Sequence, residues 1–142
     1  MSAGDFQGTY SAEQVIVTVG NVIVSGFADG DFITAKYDED RYSMKVGADG
    51  EVARSKTASR TGTIEIVLSS SSAANTELSD LFLLSLVGGF DDAIPVTVAD
   101  LSGNGLVNVG AAWLKSAPDF VRGKEVSEQT WTLQAADMAI TY

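Results

Sequence analysis

The chain contains no cysteine and no histidine among its 142 residues. Without cysteine, disulfides cannot brace the fold, and neither thiolate catalysis nor zinc–sulfur coordination is possible. Without histidine, the sequence lacks the commonest general base, the usual partner in a Ser-His-Asp triad and the usual transition-metal ligand. Any catalysis would therefore depend on carboxylates, lysine, tyrosine or a metal bound through oxygen.

Long apolar runs are also missing, although 45% of the residues are apolar. No run reaches the roughly 18 apolar residues that a transmembrane helix needs. The opening MSAGDFQGTYSAEQ is polar and acidic, and it lacks the basic and apolar regions of a signal peptide. We therefore expect one domain over residues 1–142, no membrane insertion by this chain, and a cytoplasm-like compartment for its synthesis.

Positive charge is scarce, with nine Lys and Arg against nineteen Asp and Glu and a net charge of −10. Tight binding to nucleic acid depends on neutralising phosphates, so this balance argues against gripping DNA but not against letting it slide past. Four of the nine cations fall in one polar stretch, KVGADGEVARSKTASRTG. They are Lys45, Arg54, Lys56 and Arg60, and their clustering on one extended segment needs an explanation.

Alternating apolar residues predict strands before and after the middle of the chain. Two β-branched runs flank Gly20-Asn21, which favours a type II′ hairpin, and Asp49-Gly50 marks a second hairpin turn. TIEIVL places Ile64, Ile66 and Leu68 on one face and Glu65 on the other. Near the end of the chain, Trp131 and Leu133 have one parity and Met138 the other, which predicts a bulge near residues 135–137.

The apolar period changes from two to that of a helix within SSSSAANTELSDLFLLSLVGG. Asn75 or Ser72 can cap the start and Gly88-Gly89 the end, which predicts a helix over about residues 74–87. The prediction is a mainly β fold of four or five strands, one helix and three strands. We expect an antiparallel β-sandwich or barrel with the helix packed on its side and a long extended β-hairpin arm over about residues 42–62. The predicted core comprises Ile64, Ile66, Leu68, Leu78, Leu81, Phe82, Leu86, Trp131 and Leu133.

Three segments resemble phosphate- or metal-binding motifs but lack a residue or a geometry that the motif needs. GEVARSKT nearly matches a phosphate-binding loop, but Ser55 replaces the second glycine and a strand follows instead of a helix. DLSGNG resembles the start of a calcium loop, but Ala111 stands where a bidentate Glu is needed. The acidic run at residues 38–40 cannot converge on a metal from a strand, because consecutive side chains point to opposite faces. We therefore predict no catalytic, metal or cofactor site and no enzyme activity.

The order of segments resembles the bacteriophage tail tube proteins of contractile tails, over roughly residues Phe6 to Tyr142. The resemblance is carried by Gly26-Phe27 and Gly30-Asp31 after the opening hairpin and by KVGADGEVARSKTASRTGTIEIVL. It continues through SSSSAANTELSDLF, PVTVADLSGNGLV, WLKSAPDFVRGKE and TWTLQAADM. The most specific part is the GADGEV hairpin followed by a Gly-Thr-Ile strand, a serine-rich link and a short helix.

This resemblance implies a structural virion protein that forms hexameric rings, with the inner strands of six subunits closing one continuous β-barrel. The rings stack into the hollow tail tube, and phage DNA passes through the lumen during ejection without specific binding. The implied partners are further copies of the chain and the sheath, baseplate and tail terminator proteins. The implied location is the tail of the virion, after assembly in the host cytoplasm.

The resemblance also implies roles for particular residues. The arm would contact a neighbouring subunit through Lys45, Asp49, Gly50, Arg54, Lys56 and Arg60, because a basic arm that meets an acidic surface gains attraction and register. The lumen candidates are Asp38, Asp40 and Glu65, since acidic side chains repel phosphates.

Other functions compete with the tail tube of a phage. A tube subunit of a phage-derived injection machine, of the pyocin or type VI kind, would share the fold and the ring stacking. A monomeric β-sandwich binding module for carbohydrate or a protein ligand would carry an exposed aromatic patch. A hydrolase would need two carboxylates at a defined separation across a cleft, whereas the acidic residues of this chain fall mostly in turns.

Overall fold

The computed structural model describes residues 14–86, 93–101 and 105–142. Phe6, Gly88-Gly89, the last residue of the predicted helix, and Ser102 and Asn104 of the calcium-like loop lie outside these ranges. Within them, no helix has the length and apolar character needed to cross a membrane. The elements are β1 Val15–Val19, β2 Val22–Val24, β3 Ile33–Tyr37, β4 Tyr42–Val46, β5 Val52–Lys56, β6 Gly62–Ser69, α1 Ala74–Leu86, β7 Ile94–Asp100, β8 Leu106–Ser116, β9 Glu128–Ala135 and β10 Met138–Thr141.

Eight strands form one antiparallel sheet in the order β2-β1-β7-β8-β9-β6-β3, with β10 also paired to β8. The chain leaving β2 crosses to the far end of this order, where Phe27 bridges Leu68 of β6. Beside this bridge, the Ser69 N–H donates to the Gly26 carbonyl oxygen at 2.9 Å. The sheet therefore curls back on itself. The antiparallel pairing of its strands confirms the predicted antiparallel, mainly β fold. The structure has six strands before the helix and four after it, more than the sequence predicted.

Alternate residues of the strands fill the interior. Ile64, Ile66 and Leu68 of β6 are fully buried and Glu65 between them is exposed, as predicted. The helix contributes only its first half, because Leu78 is buried, Leu81 and Phe82 are partly buried and Leu86 is 65% exposed. The prediction that Leu86 belongs to the core is therefore wrong, since the last turn of α1 runs past the sheet.

The start of the helix is fixed to β9 by Asn75, although this residue is not the N-cap. Helix α1 begins at Ala74, whose N–H donates to the Ser72 hydroxyl oxygen at 3.2 Å, so the alternative cap Ser72 is the one the structure supports. Asn75 lies inside the first turn, where its amide donates to the Ser69 carbonyl oxygen at 2.9 Å. Its oxygen accepts a hydrogen bond from the Trp131 indole N–H at 2.9 Å.

The predicted change of parity near residue 136 is present, and it involves two strands together. Leu133 and Ala135 of β9 are buried and so is Met138 of β10. Both strands pair β8 with the same offset, Ala135 opposite Ala112 and Met138 opposite Val109. Because Val109 and Ala112 are both buried, β8 changes parity at the same level. The change of parity is thus shared by facing segments, and it coincides with a bulge in β8 against β7, where the two residue steps from Ile94 to Val96 face the three steps from Val109 to Ala112.

Substitution of Gly26 tests the crossing that curls the sheet. Gly26 has φ +75°, and an added Cβ would lie 2.6 Å from the Ser72 Oγ and 3.2 Å from the Ser72 Cα. Gly30 has φ +84° with nothing within 4 Å of an added Cβ. Gly30→Ala should therefore cost only the left-handed backbone penalty, roughly 1–2 kcal/mol, whereas Gly26→Ala should lower the free energy of unfolding clearly further. Chemical denaturation measures both, and equal losses would contradict close packing between Gly26 and Ser72.

Candidate assembly surfaces

The hairpin at residues 42–56, called the arm below, is a separate two-stranded sheet of β4 and β5. At its tip the Gly47 N–H donates to the Glu51 carbonyl oxygen at 2.7 Å and the Gly50 N–H to the Gly47 carbonyl oxygen at 3.0 Å. With Gly50 at φ 84°, this is a three-residue loop closed by a bulge. The predicted hairpin with Asp49-Gly50 near its tip is confirmed. It is shorter than the predicted 42–62, because the ladder ends at Lys56 and Gly62 begins β6.

The two faces of the arm differ in chemistry, because cross-strand partners share a face. One face, called the apolar-cationic face, carries the pairs Tyr42–Lys56, Met44–Arg54 and Val46–Val52. The opposite face carries Ser43–Ser55 and Lys45–Ala53. Every residue of both strands is exposed, and Met44 reaches 70%. The Arg54 guanidinium carbon lies 4.6 Å from the centroid of the Tyr42 ring, a cation–π contact.

The structure brings together only two of the four predicted arm cations. Arg54 and Lys56 share the apolar-cationic face, whereas Lys45 lies on the opposite face. Arg60 lies outside the arm, where its Nη1 is 3.8 Å from the Asp137 Oδ1 in an exposed ion pair. The tip carries Asp49 and the base carries Lys56, so the arm is acidic at one end and basic at the other.

Asp38 has a structural role at the point where the chain leaves β3 for the arm. The Thr63 hydroxyl donates to its Oδ1 at 2.7 Å, and the Gln134 amide donates to its Oδ2 at 2.8 Å. These bonds, with the Thr63 bond first, hold the pKa of the Asp38 carboxyl below its ordinary value, and the charge of Lys115 acts in the same direction. The side chain therefore joins the end of β3 to β6 and β9.

The outward face of β3, β6 and β9, called the polar sheet face, carries hydroxyl and amide groups more than charges. On this face Glu65 lies between Thr34 and Thr132. Its charges are nearly balanced, since Lys36 and Lys115 stand beside Glu65 and Asp38. Asp40, the third predicted lumen residue, lies in the exposed link between β3 and β4. The polar sheet face comprises Thr34, Lys36, Thr63, Glu65, Val67, Thr130, Thr132 and Gln134.

Helix α1 presents an acidic and apolar stripe that the sequence prediction missed. Glu77, Asp80 and Leu84 are exposed and spaced i, i+3 and i+7, so they share one side of the helix, called the helix stripe. Leu83, which is 54% exposed, flanks it. The helix contains no Lys or Arg. The sequence contained a signal for this stripe, because Leu83 and Leu84 are apolar but lie off the helical face formed by the predicted core residues Leu78, Leu81 and Phe82.

Neither a phosphate-binding loop nor a metal cluster is found in the part of the chain that the structure describes. The GEVARSKT segment spans the arm tip and β5 and leads into no helix. Within the described ranges there is no cluster of three or more His, Cys, Asp or Glu residues that could hold a metal ion. The exposed apolar and charged residues on the arm, the helix stripe and the sheet ends are the remaining functional candidates.

Comparisons with known proteins point to one class of assembly. The family model described as "Bacteriophage PhiTE tail tube protein" matches residues 8–141. No curated protein matches the chain. The fold is similar to that in the PVC sheath-tube complex of an extracellular contractile injection system, with TM-score 0.64, 16% identity and coverage of 99% of this chain and 97% of that one. The anti-feeding prophage tube-terminating cap gives TM-score 0.60 at 17% identity over 99% and 98%. A chain of the native gene transfer agent virion gives TM-score 0.58 at 7% identity over 94% and 100%.

The hydrogen bonds to Asp38 predict a pH dependence of stability. Because its folded-state pKa lies below the ordinary 3.8, the ionised carboxylate stabilises the fold at neutral pH. That contribution is lost as the pH falls from about 4 through the folded-state pKa. Asp38→Asn should therefore lower the denaturation midpoint at pH 7, and its difference from wild type should shrink below pH 4. Glu39→Gln removes an adjacent exposed carboxylate as a control. A difference that persists unchanged to pH 3 would contradict this role.

Proposed function

The chain belongs to the phage tail tube protein family, and we propose that its copies form rings, hexameric as the family resemblance implies, that stack into the hollow tube of a contractile tail. Tail tube proteins are structural components of phage and phage-like contractile injection systems, and the family is not an enzyme family. In the proposed assembly each subunit contributes its curled sheet to the wall and its arm to a neighbour.

The observation that carries the proposal is the uncovered arm. Met44, Val46 and Val52 are each more than half exposed on a hairpin that pairs only with itself among the described strands. Contiguous exposed apolar surface on a soluble domain marks an interaction site. A contact between this arm and a different surface on the next copy is head-to-tail, and head-to-tail contacts that do not close generate open cylinders.

The ends of the sheet supply the proposed contacts within a ring. Strands β2 and β3 end the strand order, so each offers one backbone edge that could pair with a neighbouring copy. Ile23 on β2 is 71% exposed and Ile16 on β1 is 42% exposed. Pairing of these edges between copies would satisfy their free backbone groups and would continue the sheet around the ring.

We assign the lumen to the polar sheet face. Threonine and glutamine side chains are well hydrated and carry no charge that could neutralise phosphates. DNA would therefore pass this face without being held. Glu65 and Asp38 lie on or beside this face and Asp40 at its rim. Because Lys36 and Lys115 offset the acids, the proposed lumen avoids adhesion through low charge and not through strong repulsion.

The remaining partners are proposed from the class of assembly. A sheath would surround the outer wall, a baseplate and a terminator would contact the two ends, and assembly would take place in the host cytoplasm before the tail joins the virion. A tube subunit of a phage-derived injection machine is the second candidate, supported by the similarity to the PVC tube complex. A monomeric binding module would leave the apolar side of the arm without a function.

The purified chain should form hollow tubes in negative-stain electron microscopy. Arg54→Glu combined with Lys56→Glu should lower tube yield at least about tenfold, as expected when a contact loses about 1.4 kcal/mol or more. Lys45→Glu is the control for Arg54→Glu alone, because each reverses one charge and the two positions lie on opposite faces of the same hairpin. Circular dichroism should show the same fold for all variants. Equal losses in the control, or unchanged yield in the double variant, would contradict the role of the arm.

Replacing Glu65 with Lys tests the lumen assignment. A ring of added cations inside the tube would bind phosphates, so DNA release from particles that carry Glu65→Lys should slow several-fold while tube yield stays normal. Glu125→Lys adds the same charge on the exposed segment between β8 and β9 and should leave release unchanged. The measurement is the rate of DNA release after triggering, and normal release with Glu65→Lys would place β6 outside the lumen.

A further inference from the structure

We propose that the apolar-cationic face of the arm packs lengthwise against the helix stripe of a second copy, with the base of the arm beside the first turns of α1. The inference rests on the proposed function, which supplies the second copy. It names both sides of the contact, whereas the proposed function requires only that the arm reach some neighbouring surface.

Both surfaces are uncovered in the single chain. Val52 on the arm is 61% exposed, and Leu84 on the helix is 45% exposed with Leu83 beside it at 54%. The arm cannot cover the helix of its own chain, because all ten residues of its two strands are exposed. Packing the two apolar surfaces together in different copies would remove both from water.

The charges on the two surfaces are of opposite sign. The apolar-cationic face carries Arg54 and Lys56 and no acid, and the helix stripe carries Glu77 and Asp80 on a helix without a basic residue. Arg60–Asp137 is the salt bridge found among the described residues, so neither Glu77 nor Asp80 has an ion-pair partner among them. Opposite charges arranged in this way set partner choice and register.

The spacing along the two surfaces also agrees. Lys56 and Val52 are four strand residues apart, about 13 Å at about 3.3 Å per residue. Glu77 and Leu84 are seven helix residues apart, about 10 Å at about 1.5 Å per residue. The two lengths agree to within one strand residue. Lys56 then lies beside Glu77, Arg54 beside Asp80, and Val52 beside Leu84 and its neighbour Leu83.

The opposite orientation is disfavoured by the acids of the arm tip. It would bring Asp49 and Glu51 beside Glu77 and would leave the arm cations against Leu84. The positive end of the helix dipole favours that orientation, but it amounts to roughly half a charge and is outweighed by the full carboxylates of Glu77 and Asp80. The base of the arm therefore belongs at the start of the helix.

Disulfide cross-linking can test the contact, because the chain has no cysteine of its own. The variant with Val52→Cys and Leu84→Cys places one thiol on each proposed surface. On oxidation of assembled tubes it should give a ladder of covalent oligomers on a non-reducing gel. The control combines Ala53→Cys, on the opposite face of the same strand, with Leu84→Cys. A disulfide needs Cβ vectors that point toward each other, and the side chain at position 53 points away from the proposed contact, so the control should cross-link at least about tenfold less.

The outcomes separate this inference from the proposed function. If wild type and variant form tubes but the Val52–Leu84 pair cross-links no better than the control, the arm does not lie on α1, and the helix stripe is left for another partner such as a sheath. If wild type forms no tubes, the proposed function fails. The same pair on the concentrated soluble chain then decides the inference, because dimers would support the contact and their absence would overturn it.

A charge exchange covers the case in which cysteine variants fail to assemble. Arg54→Asp alone should lose tubes at least about tenfold relative to wild type. Adding Asp80→Arg in the same chain should restore most of the yield, because every arm–helix contact regains an opposite pair. Failure of the exchange to restore assembly, with both variants folded by circular dichroism, would overturn the proposed contact.

Discussion

The short crossing from β2 to β6 is the constraint on which the rest of the structure depends. Only Ser25 and Gly26 separate the end of β2 at Val24 from Phe27, which bridges Leu68 of β6 at the far end of the strand order. The inward-facing residues of the strands fill the interior that this crossing encloses. The arm leaves the body between β3 and β6, which are already paired to each other, so no space remains for its apolar residues. They are available only to another molecule.

This separation links folding to assembly. A two-stranded hairpin alone is marginally stable in water, and the arm adds only its own ladder, a three-residue loop and the cation–π contact of Arg54 with Tyr42. Its base is held more firmly, because Thr57 and Arg41 exchange two hydrogen bonds and Asp38 fastens the end of β3. A neighbour that covers the arm would therefore stabilise a segment whose direction the body has already set.

The strand pattern was predictable because burial in a sheet follows a local period of two, and Ile64, Ile66, Leu68, Trp131 and Leu133 all obey it. The faces of the arm were not predictable, because they depend on one residue of loop length. A two-residue turn at Asp49-Gly50 would pair Lys45 with Arg54 and gather the cations, whereas the three-residue loop pairs Met44 with Arg54. The prediction that Leu86 is buried was wrong for a related reason, because helical spacing does not show where the sheet beneath the helix ends.

In the proposed assembly the uneven charge distribution serves specificity at two distances. Copies that each carry −10 repel one another at long range, which opposes non-specific association. Within about 8 Å, the screening length at physiological salt, local charges decide instead. There the cations of one arm meet the acids on the helix of another copy. Only one orientation of the arm pairs these opposite charges and also packs the apolar residues together. Long-range repulsion with short-range complementarity favours growth at a correctly presented surface over disordered aggregation.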